Sequence, residues 1–292
     1  MVCSSYEVGV TQSIAALLRA HDLHPRKRLG QNFLTDPVAL ERIVAAADLL
    51  PDDIVVEVGA GAGTLTRPLA ERAGRVVAIE LDDDLVKVLH EQVSNLPNVE
   101  IYHGDVRQYS TTGFPHRGYK VVGNLPYYIT SAVLRHFLSR EPRPRLLVVT
   151  VQREVAERIV ADPGAMSLLS VSVQFYGLPR IVARIPAGAF YPPPKVDSAV
   201  LRIDVGEEQA VTLEEGVDDA AFFHVVRAGF SQKRKTLRNS LSAGLRLPPV
   251  VIEDRLRQIG IEPRRRAETL SLPEWAKVSA ALAGHHHQSG LA

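Results

Sequence analysis

A chain of 292 residues with 46% hydrophobic and 23% charged side chains has the make-up of an ordinary soluble globule, long enough to bury roughly three quarters of its unfolded surface. One cysteine, Cys3, excludes an internal disulfide and fits a reducing, cytoplasmic setting; no apolar run approaches a membrane span, and the first residues lack a basic-then-apolar signal pattern. The net charge of +1 hides an uneven distribution, with seven acids and no base from Asp204 to Asp219 but eleven Lys and Arg against four acids from Val225 to Leu270. Such a local excess is an electrostatic footprint for a polyanion, the alternative being a solvated helical face.

In chain order, residues 1–24 read as an extension in which Thr11 is placed to cap a short amphipathic helix carrying Ile14, Leu17 and Leu18. The basic segment His24-Pro25-Arg26-Lys27-Arg28 then leads into Leu29-Gly30-Gln31-Asn32-Phe33-Leu34. Asp36-Pro37 has the cap-then-proline form of a helix start, with Leu40, Ile43, Val44 and Ala47 on its apolar face. Strands are predicted at Ile54 to Val58, at Val76 to Ile79 with Glu80 at the end, at Val99 to His103 before Gly104-Asp105, at Val121-Val122, and at Leu146 to Val151. Helices are expected from Thr64 to about Arg72 and from Asp83 to Val93. This alternation means a parallel sheet covered on both faces. Leu168 to Phe175, Ile181 to Ile185 and Val196 to Ile203 read as later strands, partly antiparallel.

After Asp204 the texture becomes helical. Phe222, Phe223, Val226 and Phe230 fall at helical spacing; Leu256, Ile259 and Ile261 mark another helix, and Ser271-Leu272-Pro273-Glu274 is a capping box opening a last one through Trp275 and Val278. The expected organisation is an α/β, mostly parallel sheet with one antiparallel strand over 25–204, a small helical domain over 205–284, and a flexible tail over 285–292. The run His285 to His287 reads as tail, and no metal site is expected.

Glu57-Val58-Gly59-Ala60-Gly61-Ala62-Gly63 lies between a strand and a helix, where small residues let the chain turn and let a ligand touch the backbone. Glu80, 21 residues beyond Gly59, is placed to accept from both ribose hydroxyls, and Asp105 adds an acceptor for an adenine amine. A nicotinamide dinucleotide and S-adenosyl-L-methionine compete for this site. The dinucleotide fingerprint needs a third glycine after two intervening residues, where this chain has Thr64. Two acids suit a sulfonium cofactor without phosphates, and S-adenosylmethionine is the favoured reading.

Asn124-Leu125-Pro126-Tyr127 follows the apolar run Tyr119 to Gly123, so an amide, a proline-fixed turn and an aromatic ring stand together at the lip of the sheet. These are the parts that hold a flat, amine-bearing base, with acceptors for the NH2 and a ring for its face. Beside the glycine loop they point to methyl transfer onto an exocyclic base nitrogen. The tetrapeptide alone reads equally as a plain loop with a turn proline.

Five segments occur in one order: Leu29 to Leu34, Glu57 to Gly63, Gly123 to Tyr127, Phe190 to Val200 and Gln232 to Leu241. Together they resemble the small-subunit (16S) ribosomal RNA adenine dimethyltransferase family, over about Arg28 to Ala280. The resemblance implies a Rossmann-like S-adenosylmethionine-dependent methyltransferase that dimethylates N6 of two adjacent adenosines near the 3′ end of small-subunit rRNA during ribosome biogenesis, with the immature small subunit as partner and a monomer expected. It assigns cofactor contacts to Asn32, Leu34, Gly59, Glu80, Asp105 and Asn124, and catalytic roles to Asn124, Tyr127 and Phe190, the two rings sandwiching the adenine. Arg26, Lys27, Arg28, Lys233, Arg234, Lys235 and Arg238 are expected to grip phosphates without reading sequence. Two departures stand out. Ala60 replaces a usual proline, and Tyr128 a usual smaller polar residue at the entrance to the base pocket. Rival readings are a large-subunit rRNA adenine dimethyltransferase conferring macrolide-type resistance, a non-catalytic ribosome-assembly factor, and a nicotinamide oxidoreductase.

Overall fold

The computed structural model describes residues 13–283. Seven strands form one sheet: β1 (Ile54–Val58), β2 (Arg75–Glu80), β3 (Val99–His103), β4 (Tyr119–Asn124), β5 (Leu146–Gln152), β6 (Gly177–Ile185) and β7 (Ser198–Val205), in the spatial order β3-β2-β1-β4-β5-β7-β6. Val55, Val56 and Val58 on β1, Val121 and Val122 on β4 and Leu147 to Val149 on β5 are all buried, the continuous apolar pattern of strands covered on both faces. β1 to β5 pair in parallel, β7 lies antiparallel to β5, and β6 is antiparallel to β7, so β7 alone runs against the other six. The expected single antiparallel strand is therefore present.

The strand order reverses at β1 and β4, which are neighbours in the sheet with Val58 opposite Gly123. Their carboxyl ends open the crevice that doubly wound sheets use for ligands. The glycine loop leaves the end of β1 and Asn124 closes β4, so the topology alone delivers both motifs to one place.

Helices follow the predicted starts closely in several places. Asp36 caps α2 (Pro37–Ala47) by accepting from Ala39 N at 2.8 Å, and Asp82 caps α4 (Asp83–Val93). Thr11 lies outside the described residues; the helix expected there is α1 (Ile14–Ala20), and Ser13 caps it. α3 is shorter than expected, running Thr66–Ala70, and α5 (Thr130–Leu138) and α6 (Arg153–Ile159) follow β4 and β5. The predicted strand at Leu168 to Phe175 is instead the helix α7 (Leu168–Gln174). Its Leu-Leu-Ser-Val-Ser-Val alternation has strand period, but Ser167 and Ser170 form a reciprocal capping box and Ser170 Oγ donates to Arg158 O at 2.6 Å. Tertiary contacts and the cap override the propensity of its β-branched residues.

Four helices make up the C-terminal region: α8 (Asp219–Phe230), α9 (Leu237–Leu245), α10 (Pro249–Gln258) and α11 (Leu272–Ala283). Phe222 stacks on Phe175 of the sheet region, with centroids 4.5 Å apart and planes at 23°, so both regions share one apolar cluster. Ser271 N donates to Glu274 Oε2 at 2.8 Å, completing the expected capping box of α11. Arg265 also pairs with Glu274, and its hydrogen bonds hold that carboxyl down at about 2. With an unfolded pKa near 4.5, this contribution to stability is complete above that value and is lost as pH falls towards 2. Glu274→Gln is therefore expected to lower the melting temperature at pH 7 and to match the parent near pH 2, read by thermal unfolding across that range.

Candidate active site

A cleft opens at the carboxyl ends of β1 and β4. Its walls bring together Asn32, Leu34, Gly59, Glu80, Asp105, Asn124 and Tyr127, which lie up to about a hundred residues apart in the chain.

The floor is the glycine loop. Gly59 N donates to Ile79 O at 2.9 Å, fixing the loop to β2, and Gly59, Gly61 and Gly63 all have positive φ (73°, 59° and 85°), which side-chained residues rarely adopt. A Cβ on Gly61 would also stand 3.2 Å from the Phe33 ring. Ala60 N donates to the same Ile79 carbonyl at 3.1 Å, a bond that the family's usual proline cannot make.

Glu80 is buried at the end of β2. Its Oε1 accepts from Leu81 N and Asp82 N, and its Oε2 from Gly61 N, each at 2.8 Å. Burial raises its pKa, and these backbone bonds, which favour the carboxylate, pull it back. A carboxylate offers about four acceptor positions, so three backbone bonds leave about one for a ribose hydroxyl rather than the two expected. Asp105 is held in the same way by its neighbour: Arg107 donates to both oxygens and keeps its pKa below the usual range.

Glu57, missed in the sequence reading of roles, also lines the cleft. It is 1% exposed and its Oε2 has no hydrogen-bond partner among the described residues. Burial pushes its pKa up to about 8; the Thr66 hydroxyl, near but outside hydrogen-bond geometry, offsets this slightly, and the Glu80 charge adds to it. Its position as the first residue of the glycine motif was the available signal.

Asn124 Nδ2 donates to the Asn32 carbonyl at 2.8 Å. That bond fixes which way the carboxamide faces, and among the described residues no donor reaches its Oδ1. Pro126 O accepts from Ile129 N at 3.1 Å, whereas no described donor reaches Leu125 O. Two acceptors in residues that line the cleft, Asn124 Oδ1 and Leu125 O, are thus left without a described donor. Beside them the Tyr127 hydroxyl shares a 2.7 Å hydrogen bond with Ser198 Oγ, which ties the ring to the start of β7. Tyr128 is 62% exposed at the mouth, against Gly30.

Phe190 is placed differently from the expected sandwich. Its backbone pairs with Leu34 in a two-residue antiparallel bridge, but its ring is only 4% exposed, packs with Leu34 in the apolar core and does not line the cleft. Phe190 is a buried hydrophobic plug in this structure. Arg26 is also corrected: its guanidinium binds Asp82 at 2.8 Å and Asp84 at 2.5 Å, so it ties the chain to α4 rather than standing free for phosphate. Arg238 is engaged by Glu253 at 2.9 Å. Lys27, Arg28, Lys233, Arg234 and Lys235 are exposed and form no ion pair among the described residues. A second cleft, between the sheet region and α8, adds Arg135 and Arg227 to Lys233 over a floor of Leu134, Phe223 and Phe230. Arg227 belongs to the basic stretch from Val225 to Leu270, whereas no linear signal marked Arg135.

The description Ribosomal RNA adenine dimethylase matches residues 23–283. The chain belongs to that family. It is 48% identical over 271 residues to the ribosomal RNA small subunit methyltransferase A of Dehalococcoides mccartyi (strain CBDB1), covering 92% of each chain, and 44% identical to that of Pelotomaculum thermopropionicum, covering 91% and 94%. Among solved structures, a dimethyladenosine transferase from Plasmodium falciparum matches with TM-score 0.72 and 25% identity over 84% of this chain and 95% of that one. The 23S rRNA methyltransferase ErmE matches with TM-score 0.67 and 30% identity over 86% and 99%. The family is thus placed by sequence over nearly the whole chain, and the Rossmann-like methyltransferase fold by structure. Among the described residues no helix is long and apolar enough to cross a membrane, and no group of three or more His, Cys, Asp or Glu could hold a metal.

Proposed function

We propose that this chain uses S-adenosyl-L-methionine to dimethylate N6 of two adjacent adenosines near the 3′ end of small-subunit rRNA, within the immature small subunit. The observation that carries the reading is the Asn124 carboxamide, turned by the Asn32 carbonyl so that only acceptors meet an incoming amine. The cleft chemistry fits the cofactor. Its charged lining consists of Glu57, Glu80, Asp105 and Arg107, the last paired with Asp105. A sulfonium suits that wall; a dinucleotide pyrophosphate would meet three carboxyl groups and no free cation. Asn32, Leu34, Gly59, Glu80, Asp105 and Asn124 would hold the cofactor, with Glu57 beneath it.

When bound, that cofactor supplies an electrophilic methyl group on sulfur. The adenine amine is a weak nucleophile because its lone pair is delocalised into the ring. Asn124 Oδ1 and Leu125 O each accept one N6 hydrogen, which favours a pyramidal nitrogen with its lone pair available. Tyr127 offers a face for the base, and stacking of this kind is worth about 1–3 kcal/mol, which offsets part of the cost of extruding a nucleotide. Phe190 supports the Leu34 wall from below and becomes the second face only if the base displaces its cover. Orientation supplies much of the acceleration, since no strong base is needed before attack; the proton made surplus on N6 by each transfer then leaves to solvent.

The decisive experiment incubates the protein with labelled cofactor and either immature small subunits or large subunits, followed by mass spectrometry of the rRNA. N6,N6-dimethyladenosine in small-subunit rRNA alone is expected. Label confined to the large subunit would favour the ErmE-like activity, and no label at all the assembly-factor reading.

The exposed cations carry the RNA contact in this proposal. Changing Lys233, Arg234 and Lys235 together to Ala is expected to weaken small-subunit rRNA binding by about tenfold or more near 0.1 M salt and to flatten its salt dependence by roughly two to three counterions, measured by titration at several ionic strengths. An unchanged slope returns that segment to a solvated face.

A further inference from the structure

Residues 26–34 form a strap across the cofactor cleft: Leu29 to Leu34 all line it. The strap has little backbone anchorage. Leu29 N bonds to Arg26 O and Gly30 N to Lys27 O, both within the strap, and the only strand pairing is Phe33 and Leu34 with Tyr191 and Phe190. Side chains place the rest. Arg26 grips Asp82 and Asp84, while Gln31 Nε2 donates to Asp82 Oδ2 at 2.8 Å and Gln31 Oε1 accepts from Arg26 N at 2.7 Å. Asp82 N in turn donates to Glu80 Oε1, and Glu80 Oε2 accepts from Gly61 N. On the outer side Phe33 packs in a cluster with Ile14, Leu17 and Leu18 of α1 and with Leu85 and Val88 of α4.

We propose that Gln31 is a positioning residue for methyl transfer: by clasping Asp82 and the Arg26 backbone it fixes the strap so that the adjoining Asn32 carbonyl holds the Asn124 amide in its productive orientation. The inference rests on the reading of Asn124 as the group that faces the target amine. Its force comes from adjacency. The residue next to Gln31 supplies the one described hydrogen bond that orients Asn124, and the same clasp reaches Glu80 and the glycine loop through Asp82. Loosening the clasp therefore frees the carboxamide to rotate and lets the cleft wall drift, while the sheet beneath keeps its core.

The polarity of the clasp provides the test. In Gln31→Glu two carboxylates face each other; in Asp82→Asn an amide nitrogen faces another. In the double variant, Glu at 31 accepts from the Asn amide at 82 and from Arg26 N, the Asn oxygen still accepts from Arg26, and the net charge is unchanged. Each single variant is expected to lose about tenfold or more in kcat on small subunits, because sub-ångström misplacement at a reacting centre is costly, with melting temperature little changed. The double variant is expected to recover to within about threefold of the parent, a rescue that a merely stabilising contact does not predict for kcat at saturating substrates. Gln31→Met, which removes both bonds without adding charge, is expected to show the same kcat loss and faster amide exchange over 27–34. Parental kcat in Gln31→Met, or a double variant no better than the weaker single, overturns the proposal. The parent and Asn124→Ala run alongside: if the parent methylates and Asn124→Ala does not, failure of the rescue falls on the clasp alone.

Discussion

Asn124→Ala lowers kcat for methyl transfer by at least about a hundredfold while leaving the dissociation constant for S-adenosylmethionine within a few-fold, because the lost acceptor acts on the transferring nitrogen rather than on bound cofactor. The separation is expected from the geometry. The Asn124 amide nitrogen is spent on the Asn32 carbonyl, and its oxygen is the part that meets the base. Glu80, Gly59 and Asp105 remain to hold the cofactor. Single-turnover methylation with saturating cofactor, paired with calorimetric titration of the cofactor, measures both quantities. Full activity in this variant removes Asn124 from the chemistry and, with it, the proposed mechanism.

Glu57→Gln is expected to remove the fall in stability that the Glu57 carboxyl contributes between about pH 4.5 and 8. The carboxyl of Glu57 is raised to about 8 in the folded protein from a reference of 4.5. Across that interval the unfolded chain gives up its proton and the folded one keeps it, so the unfolded state binds fewer protons and stability falls as pH rises. The stabilisation relative to the ionised form is complete below the unfolded value and gone above the folded one. The total is on the order of several kcal/mol for a fully buried group. Urea unfolding of the cofactor-free proteins at intervals from pH 4.5 to 8.5 checks it, and parallel curves for parent and variant would refute the assignment.

Much of the fold was legible because its signals are local. The apolar runs of β1 to β5, the Asp36-Pro37 start and the Ser271 to Glu274 cap each state their structure within a few residues. The helix α7 was not legible, since its capping box uses Ser170 where a Glu or Gln is the recognisable signal, and its side chains alternate like a strand. The site divides along the same line. Asn124, Tyr127, Gly59, Glu80 and Asp105 stand at or just beyond strand ends, and parallel pairing puts the carboxyl ends of the strands together. Arg26 and Arg238 looked free because their partners are distant in sequence: Asp82 and Asp84 lie 56 and 58 positions from Arg26. Phe190 sits in a motif whose ring position depends on whether Leu34 covers it, which is a fact of packing and leaves no trace in the linear pattern.

In the proposed base pose, the two oxygens without a described donor, Asn124 Oδ1 and Leu125 O, also make the site a counter. An unmodified amine satisfies both; after one methyl only one hydrogen remains to offer, and after two there is none. A buried acceptor left without a donor costs about 1–3 kcal/mol, so each transfer loosens the hold on the base by a comparable step. In that pose the doubly methylated base is the form held most weakly, and its release draws on the same pair of atoms that admitted the substrate.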